Sequence, residues 1–276
     1  MSQKIVDYIL DKLAPTNPDG SLPATVSGCA LDTGPGVTVL GNFPQALNFQ
    51  GGGKLVTTLP VASLNARKFC LRVIFRVDAP VTARQNLLES NALPVAFYLA
   101  PGIGSSAFSL VASAKTRSYG VGKASSAYML DLKLGVWYAA DLVYDTDTLA
   151  VFVDNVIYSV HAFPDGTLAN GTGDQLFGGI GENGISYAFS GLMALIELHA
   201  DIPIDLESQL DERRSHPQWH LTYKWEEMKF SLAFGEPSGE FYYDFASTAW
   251  IQPFPAGLIM YQDGNGLAFE MHGAIL

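Results

Sequence analysis

Two acids one residue apart on a strand share a face, and retaining glycoside hydrolysis needs two carboxylates about 5–5.5 Å apart. Two pairs in this chain have that spacing, Asp145/Asp147 and Asp205/Glu207. The segment Asp145-Thr146-Asp147-Thr148 reads as a turn, where short acidic side chains satisfy turn amides. Calcium is a further option there, but it wants about six to eight converging oxygens. Asp205 and Glu207 precede Gln209 in a helical segment, not a strand. The strand-borne Glu-x-Asp-x-x-Glu cluster that would support glycan hydrolysis is absent.

Nucleophilic and metal chemistry find no better footing. There is no Gly-x-Ser-x-Gly elbow. The five histidines are His161, His199, His216, His220 and His272. His216 and His220 have helical ligand spacing, yet Pro217 lies between them and a strand begins there. His199 ends a strand and reads as a satisfied rim histidine. Gly51, Gly52 and Gly53 could suggest a phosphate loop, but no helix start and no Lys-Ser/Thr pair follows. A turn needing positive φ explains them better. Cys29 and Cys70 match no metal motif. Cys70 sits in an alternating run, Phe69 to Phe75, as a small buried hydrophobe with a free thiol. A Cys29–Cys70 disulfide would need an oxidising compartment and close Cα atoms. These residues predict a protein that is not an enzyme.

The net charge of −11 argues against binding nucleic acid by phosphate neutralisation and against adhesion to an anionic membrane. It fits solubility, a cationic partner or calcium without selecting among them. No apolar run is long enough to span a membrane. Asp7 and Asp11 interrupt what would be the apolar stretch of a secretion signal. The expected location is therefore cytoplasmic, or outside the cell by a leaderless route. Charged residues are only 16%, and 27 Gly with 15 Pro suit an all-β protein with many turns.

The elements that would position a site follow from periodicity. Ile5, Ile9 and Leu13, with Val6 and Leu10 beside them, predict a short amphipathic helix over 4–13. Ala14-Pro15 ends it, and Asn17-Pro18-Asp19-Gly20 is a turn signal. Strands dominate from Val37 onward. A core strand is predicted over 69–77, with shorter strands over 86–89, 94–100, 107–113 and 117–122. Tyr138–Val143 and Leu149–Val153 alternate across the 145–148 turn and predict a hairpin. Residues 166–174 are polar and glycine-rich, a surface loop, and the Asn170-Gly171-Thr172 sequon within it reads as coincidence. A strand is predicted over 189–198. Ile204 to Arg214 reads as a helix, with Asp205 and Glu207 early and Arg213 and Arg214 late.

The tail alternates strictly. Trp219, Leu221, Tyr223 and Trp225 interleave with His220, Thr222 and Lys224. The phase slips at Glu226-Glu227, and Met228, Phe230, Leu232 and Phe234 alternate again, which a bulge or turn would explain. Further strands are predicted over 240–246, 257–262 and 267–275, with Asp263-Gly264-Asn265-Gly266 as a hairpin turn.

One ordered set of residues resembles a known family. Trp137 opens the central hairpin, Asp154-Asn155 follows its second strand, then come Gly179-Ile180-Gly181 and Phe189-Ser190-Gly191. Upstream, Ala46 to Pro60 reads as an apolar-x-Phe-x-Gly strand, a glycine turn and a β-branched strand. Over residues 24–203 the chain resembles the laminin-G-like, concanavalin-A-like jelly-roll family. The resemblance implies two curved antiparallel sheets packed face to face, with Trp137, Leu142, Phe152 and Ile196 in the core.

It also implies a binding module, because family members hold glycans, sulfated polysaccharides or proteins at the rim or on the concave sheet. The family often carries one rim calcium, so calcium is admitted as a cofactor. Its ligands do not map onto this chain residue by residue. Lys and Arg number only 16 and do not cluster, which disfavours heparin-type binding. Tyr119, Tyr128 and Tyr187 are candidates for stacking against sugar rings, with Asn183 as a further ligand-binding candidate.

The expected organisation is an N-terminal helix and linker over 1–23, a jelly roll over 24–203, and a C-terminal helix with an aromatic-rich antiparallel β extension over 204–276. The expected function is non-catalytic recognition of a glycan or protein ligand. The alternative is a structural or assembly subunit, homo-oligomeric or in a larger complex, using the N-terminal helix and the β extension as contacts.

Overall fold

The computed structural model describes residues 3–37, 41–102, 107–115, 125–146, 148–162, 168–182, 184, 187–215, 218–222, 240–244, 249–251, 258–263 and 266–271. The chain divides into two compact units, Met1–Glu207 and Ser208–Leu276.

The first unit is built from strands β1 (Lys4–Ile9), β2 (Thr25–Val37), β3 (Phe43–Thr58), β4 (Lys68–Arg76), β5 (Gln85–Ser90), β6 (Val95–Pro101) and β7 (Phe108–Ala114). It continues with β8 (Ser125–Leu132), β9 (Trp137–Asp145), β10 (Thr148–Val153), β11 (Val156–Ala162), β12 (Gln175–Gly178) and β13 (Ser190–His199). They hydrogen-bond in the order β11-β10-β9-β4-β13-β3-β12-β5-β6-β7-β8, with β1 added to β13 and β2 to β3. The all-β sandwich stands, but as one antiparallel sheet folded over. Residues 47–50 of β3 pair with β13 in one layer, and residues 55–58 pair with β12 in the other. The layers meet through their aromatic residues: Phe75 on β4 and Phe108 on β7 lie 6.4 Å apart, edge to face.

Gly51, Gly52 and Gly53 do not make the expected turn; they lie inside β3, at the corner between the layers. A Cβ on Gly53 would meet Cys29 Sγ at 2.7 Å and the Gly28 carbonyl oxygen at 2.9 Å. The β2–β3 pairing shifts register between Ser27 and Cys29, so both strands bend together there.

Leu142, Phe152 and Ile196 are fully buried, as expected. Trp137 is only half-buried. On β9 it is Tyr138, Ala140, Leu142 and Tyr144 that contact the main core, so alternation turns Trp137 to the opposite face. There it packs against Phe43, Ile74, Leu192 and Leu195, with the Arg76 guanidinium 5.3 Å from its ring.

The predicted N-terminal helix is a strand. β1 pairs with β13, Val6 opposite Leu198 and Tyr8 opposite Ile196. β3 covers that edge of β13 only over residues 190–193, and β1 takes over at 195–199. Val6, Tyr8 and Leu10 are buried without exposure, which is period two. A run rich in Ile, Val and Tyr serves either periodicity, and a segment this short cannot offset helix nucleation unaided. An open sheet edge decides in favour of the strand. The Tyr8 hydroxyl donates to the Leu22 carbonyl at 2.5 Å and shares a hydrogen bond with Thr57 Oγ1 at 2.8 Å. Lys4–Ile9 is thus a strand of the first unit's sheet.

The central hairpin forms as predicted, with Leu149 opposite Tyr144 and Val153 opposite Ala140. Asp154 and Asn155, at φ 51° and 63°, make the two-residue turn into β11. Strand β8 has no counterpart in the sequence reading, and the strand predicted over 117–122 falls outside the described residues. Both cysteines are free, Cys70 buried and Cys29 half-buried. Helix α1 (Ile204–Ser215) matches the expectation, and Lys68 pairs with Glu207 in its first turn. The boundary between the two units falls inside it.

In the second unit, β14 (Gln218–Thr222), β15 (Glu240–Asp244), β16 (Ala249–Ile251), β17 (Leu258–Asp263) and β18 (Gly266–Met271) form an antiparallel meander in chain order. Asp263 pairs with Gly266, as the predicted hairpin requires, and residues 264–265 lie outside the described residues. The phase slip at 226–227 and the alternation through Phe234 lie outside the described residues.

Candidate functional site

On β6 the core takes Val95, Phe97 and Leu99, so Tyr98 points to the outer face of its layer. Tyr98 stands opposite Asn86 on β5. A register shift between Asn86 and Leu88 lets Leu87 and Leu88 both enter the core. Along the same face run Phe177, Glu89, Ala96 and Ser113 on adjacent strands β12, β5, β6 and β7.

Arg84, just before β5, organises this surface. Its guanidinium carbon lies 4.0 Å from the Tyr98 ring centroid and 4.5 Å from that of Tyr187, one cation–π contact to each ring. Its Nε donates to Asn86 Oδ1 at 2.8 Å, and Nη2 donates to Glu89 Oε2 at 3.3 Å. Asn86 Nδ2 donates to the same carboxylate oxygen. Arg84 Nη1 makes no hydrogen bond or ion pair among the described residues.

The other wall is the segment after β12. The Glu182 backbone N–H donates to Glu89 Oε1 at 3.1 Å. Glu182 Oε1 accepts from Asn91 Nδ2 at 3.3 Å and from Thr172 Oγ1 at 3.4 Å. Gly181 is required by this close approach: a Cβ there would meet Asn86 Nδ2 at 2.6 Å and Glu89 Oε2 at 2.7 Å. At the far end, the Ser190 N–H donates to Gln85 Oε1 at 3.0 Å. Two aromatic rings, one planar cation, an amide and the Glu89 carboxylate are thus held beside each other, with the Glu182 backbone N–H on that carboxylate. Arg84 keeps 32% of its side chain exposed and Glu89 16%. Such a set can grip a polyol by paired hydrogen bonds and ring contact; among the described residues it holds no nucleophile beside a general base.

Of the ligand-binding candidates named from sequence, Tyr187 is in this cluster. Tyr128 stands opposite Val111, in the cross-strand row that also holds Tyr98 and Asn86. Tyr119 and Asn183 lie outside the described residues. Arg84, Asn86, Glu89 and Tyr98 were not singled out from sequence. The available signal was weak: an Arg and an Asn flanking Gln85, and a Tyr at the outward phase of an apolar strand.

A second polar cluster spans β1, β13, β4 and β9 in the opposite layer. Arg72 Nε donates to Asp141 Oδ1 at 2.6 Å, Nη2 donates to Asn155 Oδ1 at 3.1 Å, and Nη1 lies 3.9 Å from Glu197 Oε2. His199 Nε2 is 2.8 Å from Glu197 Oε2, and Lys4 pairs with Glu197 Oε1. Burial disfavours the Glu197 anion, but hydrogen bonds from His199 and Lys4 outweigh it and hold the carboxyl down to about 2. Burial pushes the Asp141 carboxyl up against the pull of Arg72, and it pushes the Cys70 thiol well up. This is the carboxylate pair that a search along single strands misses. Asp141 is fully buried and Glu197 is 5% exposed, so neither is offered to a substrate. Among the described residues no group of three or more His, Cys, Asp or Glu is arranged to hold a metal ion. No helix among them is long and apolar enough to cross a membrane.

No family profile matches the chain, and no curated protein matches it in sequence. Solved structures do match in fold. Domain 4 of the extracellular arabinanase AbnA from Geobacillus stearothermophilus, in complex with arabinotriose, aligns with a TM-score of 0.52 at 13% identity, over 76% of this chain and 98% of that one. The botulinum neurotoxin serotype D binding domain aligns at 0.54 and 10% identity, over 98% of this chain and 70% of that one. A botulinum neurotoxin type C structure, whose cell entry depends on interaction with two ganglioside molecules, aligns at 0.54 and 11% identity, over 99% and 78%. At these identities the likeness is one of fold, a β-sandwich.

Proposed function

We propose that this protein is a non-catalytic recognition module that binds a glycan at the Arg84–Tyr98–Tyr187 cluster. The carrying observation is the guanidinium held against two rings and beside Asn86 and Glu89. Sugars are recognised by ring contact plus hydrogen bonds from fixed polar groups, and this cluster has both, pre-organised. Binding of arabinotriose and gangliosides by proteins of similar fold supports the reading. The laminin-G-like resemblance supports it at the level of family. The test is a glycan array probed with and without calcium, with Tyr98→Ala as the control. Signal that Tyr98→Ala removes supports the site; an array with no signal counts against glycan recognition. Turnover of any β-glucan that disappears on replacing one Asp or Glu would overturn the non-catalytic assignment.

A structural subunit is the second reading. One of its two expected contacts is gone, because residues 4–9 are consumed by their own sheet. What favours it is β11, an edge strand with Val156 51% and Tyr158 48% exposed. Mass in solution separates the readings: an obligate oligomer supports assembly, a monomer recognition.

A further inference from the structure

We infer that the Arg84 cluster selects an uncharged sugar presenting neighbouring hydroxyls, and rejects sialylated, uronic or sulfated glycans. The inference rests on the glycan-recognition reading and narrows it to a ligand class.

Among the described residues Arg84 is the one cation in the cluster, and it is already spoken for. Its Nη2 pairs with Glu89 at 3.3 Å and its Nε is committed to Asn86. Glu182 adds a second carboxylate, tied to Glu89 through its own backbone N–H at 3.1 Å. Arg84, Glu89 and Glu182 together therefore carry net negative charge, in a chain whose formal charge is −11. An acidic sugar would meet the guanidinium only by approaching the Glu89 carboxylate already paired with it, and like charges in a partly desolvated site disfavour that.

Hydroxyls face no such conflict. Each both donates and accepts. Arg84 Nη1 is a donor without a partner among the described residues, and Glu182 Oε2 is an acceptor without one. One hydroxyl can accept from Nη1 while its neighbour donates to the Glu89 carboxylate. The Tyr98 and Tyr187 rings fix the guanidinium plane, at 4.0 and 4.5 Å from its carbon, so the donor is aimed before the ligand arrives. Lysine could keep the charge at this position but not the planar, ring-packed donor.

The experiment is calorimetric or fluorescence titration of the full chain with arabinotriose, cellotriose and lactose, against 3′-sialyllactose and trigalacturonate. Each is run in low and high salt. The expected result is saturable binding of at least one neutral sugar, changed less than about twofold by salt because no ion pair is formed. Arg84→Met, Arg84→Lys and Tyr98→Ala should each weaken it about tenfold or more, the loss of a bidentate or ring contact. A melting temperature for each variant equal to that of wild type separates loss of the site from loss of the fold. Tighter binding of 3′-sialyllactose or trigalacturonate, falling with salt and retained in Arg84→Lys, overturns the inference while leaving glycan recognition intact. No binding of any sugar, or binding that Arg84→Met and Tyr98→Ala both leave unchanged, overturns the recognition reading at this site and the inference with it.

Discussion

Arg72 keeps 14% of its side chain exposed and faces Asp141, which has none, whereas Arg84 keeps 32% and lies against two tyrosines. The same side chain serves two ends: closing a buried charge network, and presenting a donor at a surface. Removing one partner of a buried pair strands the other charge, so Arg72→Met should cost about 3–5 kcal/mol in urea unfolding. Replacing Arg72 and Asp141 together by apolar residues should recover most of that loss. Glu197 sets an acid dependence. Its carboxyl is held at about 2 in the folded chain, against 4.5 unperturbed. A depressed folded value means the unfolded chain takes up the proton first as pH falls. The stability Glu197 contributes is complete above about pH 4.5 and is lost on descending towards about pH 2. Asp141, shifted upward, works in the opposite sense and is present in both proteins of the comparison. Glu197→Gln should therefore show a shallower loss of stability over that window. Equal slopes for the two proteins would remove Glu197 from the account.

At the scale of elements, β1 and the corner of β3 carry the sharpest expectations. Tyr8 is buried and hydrogen-bonded across to Leu22 and Thr57. Tyr8→Ala should cost about 3–5 kcal/mol, as for other large aromatic truncations in a core. Tyr8→Phe should cost about 1–2 kcal/mol, the worth of the hydroxyl's bonds. A loss below about 1 kcal/mol for Tyr8→Ala would mean that β1 is not integral to the sheet. Gly53→Ala sets a methyl against Cys29 Sγ and the Gly28 carbonyl, at 2.7 and 2.9 Å. Because one neighbour is backbone, the corner must shift, and the melting temperature should fall. An unchanged melting temperature would show that the corner is loose.

At the scale of the whole molecule, the second unit needs cover. Trp219 and Leu221 on β14, and the alternating residues of β17 and β18, give its sheet apolar faces by sequence. About sixty residues bury too little surface for comfortable stability alone. Deleting 216–276 is therefore expected to cause aggregation or a lower melting temperature. A truncated chain that stays monomeric and equally stable, with the tail folding by itself, would show two independent modules.

The sequence alone determined the all-β class, the β9–β10 hairpin and helix α1, because each rests on local periodicity and on turn chemistry. Asp154-Asn155 can adopt positive φ wherever it sits, and Asp205 and Glu207 favour a helix start in any context. It also determined that single-strand carboxylate pairs are absent. Tertiary structure decided the rest, where two local readings were nearly equal or the partners lie far apart in the chain. Ile5, Val6, Tyr8 and Ile9 fit helix or strand, and the free edge of β13 at 195–199 chose. Gly51 to Gly53 fit a turn or a bend, and the pairing of β3 with both β13 and β12 chose the bend. Trp137 reads as core by type, and its register against Arg76 set it on the other face. Arg84 and Tyr187 are separated by about a hundred residues, and Arg72, Asp141 and Glu197 by more than fifty at each step. Cross-strand neighbours like these are created only by register, which no local pattern contains.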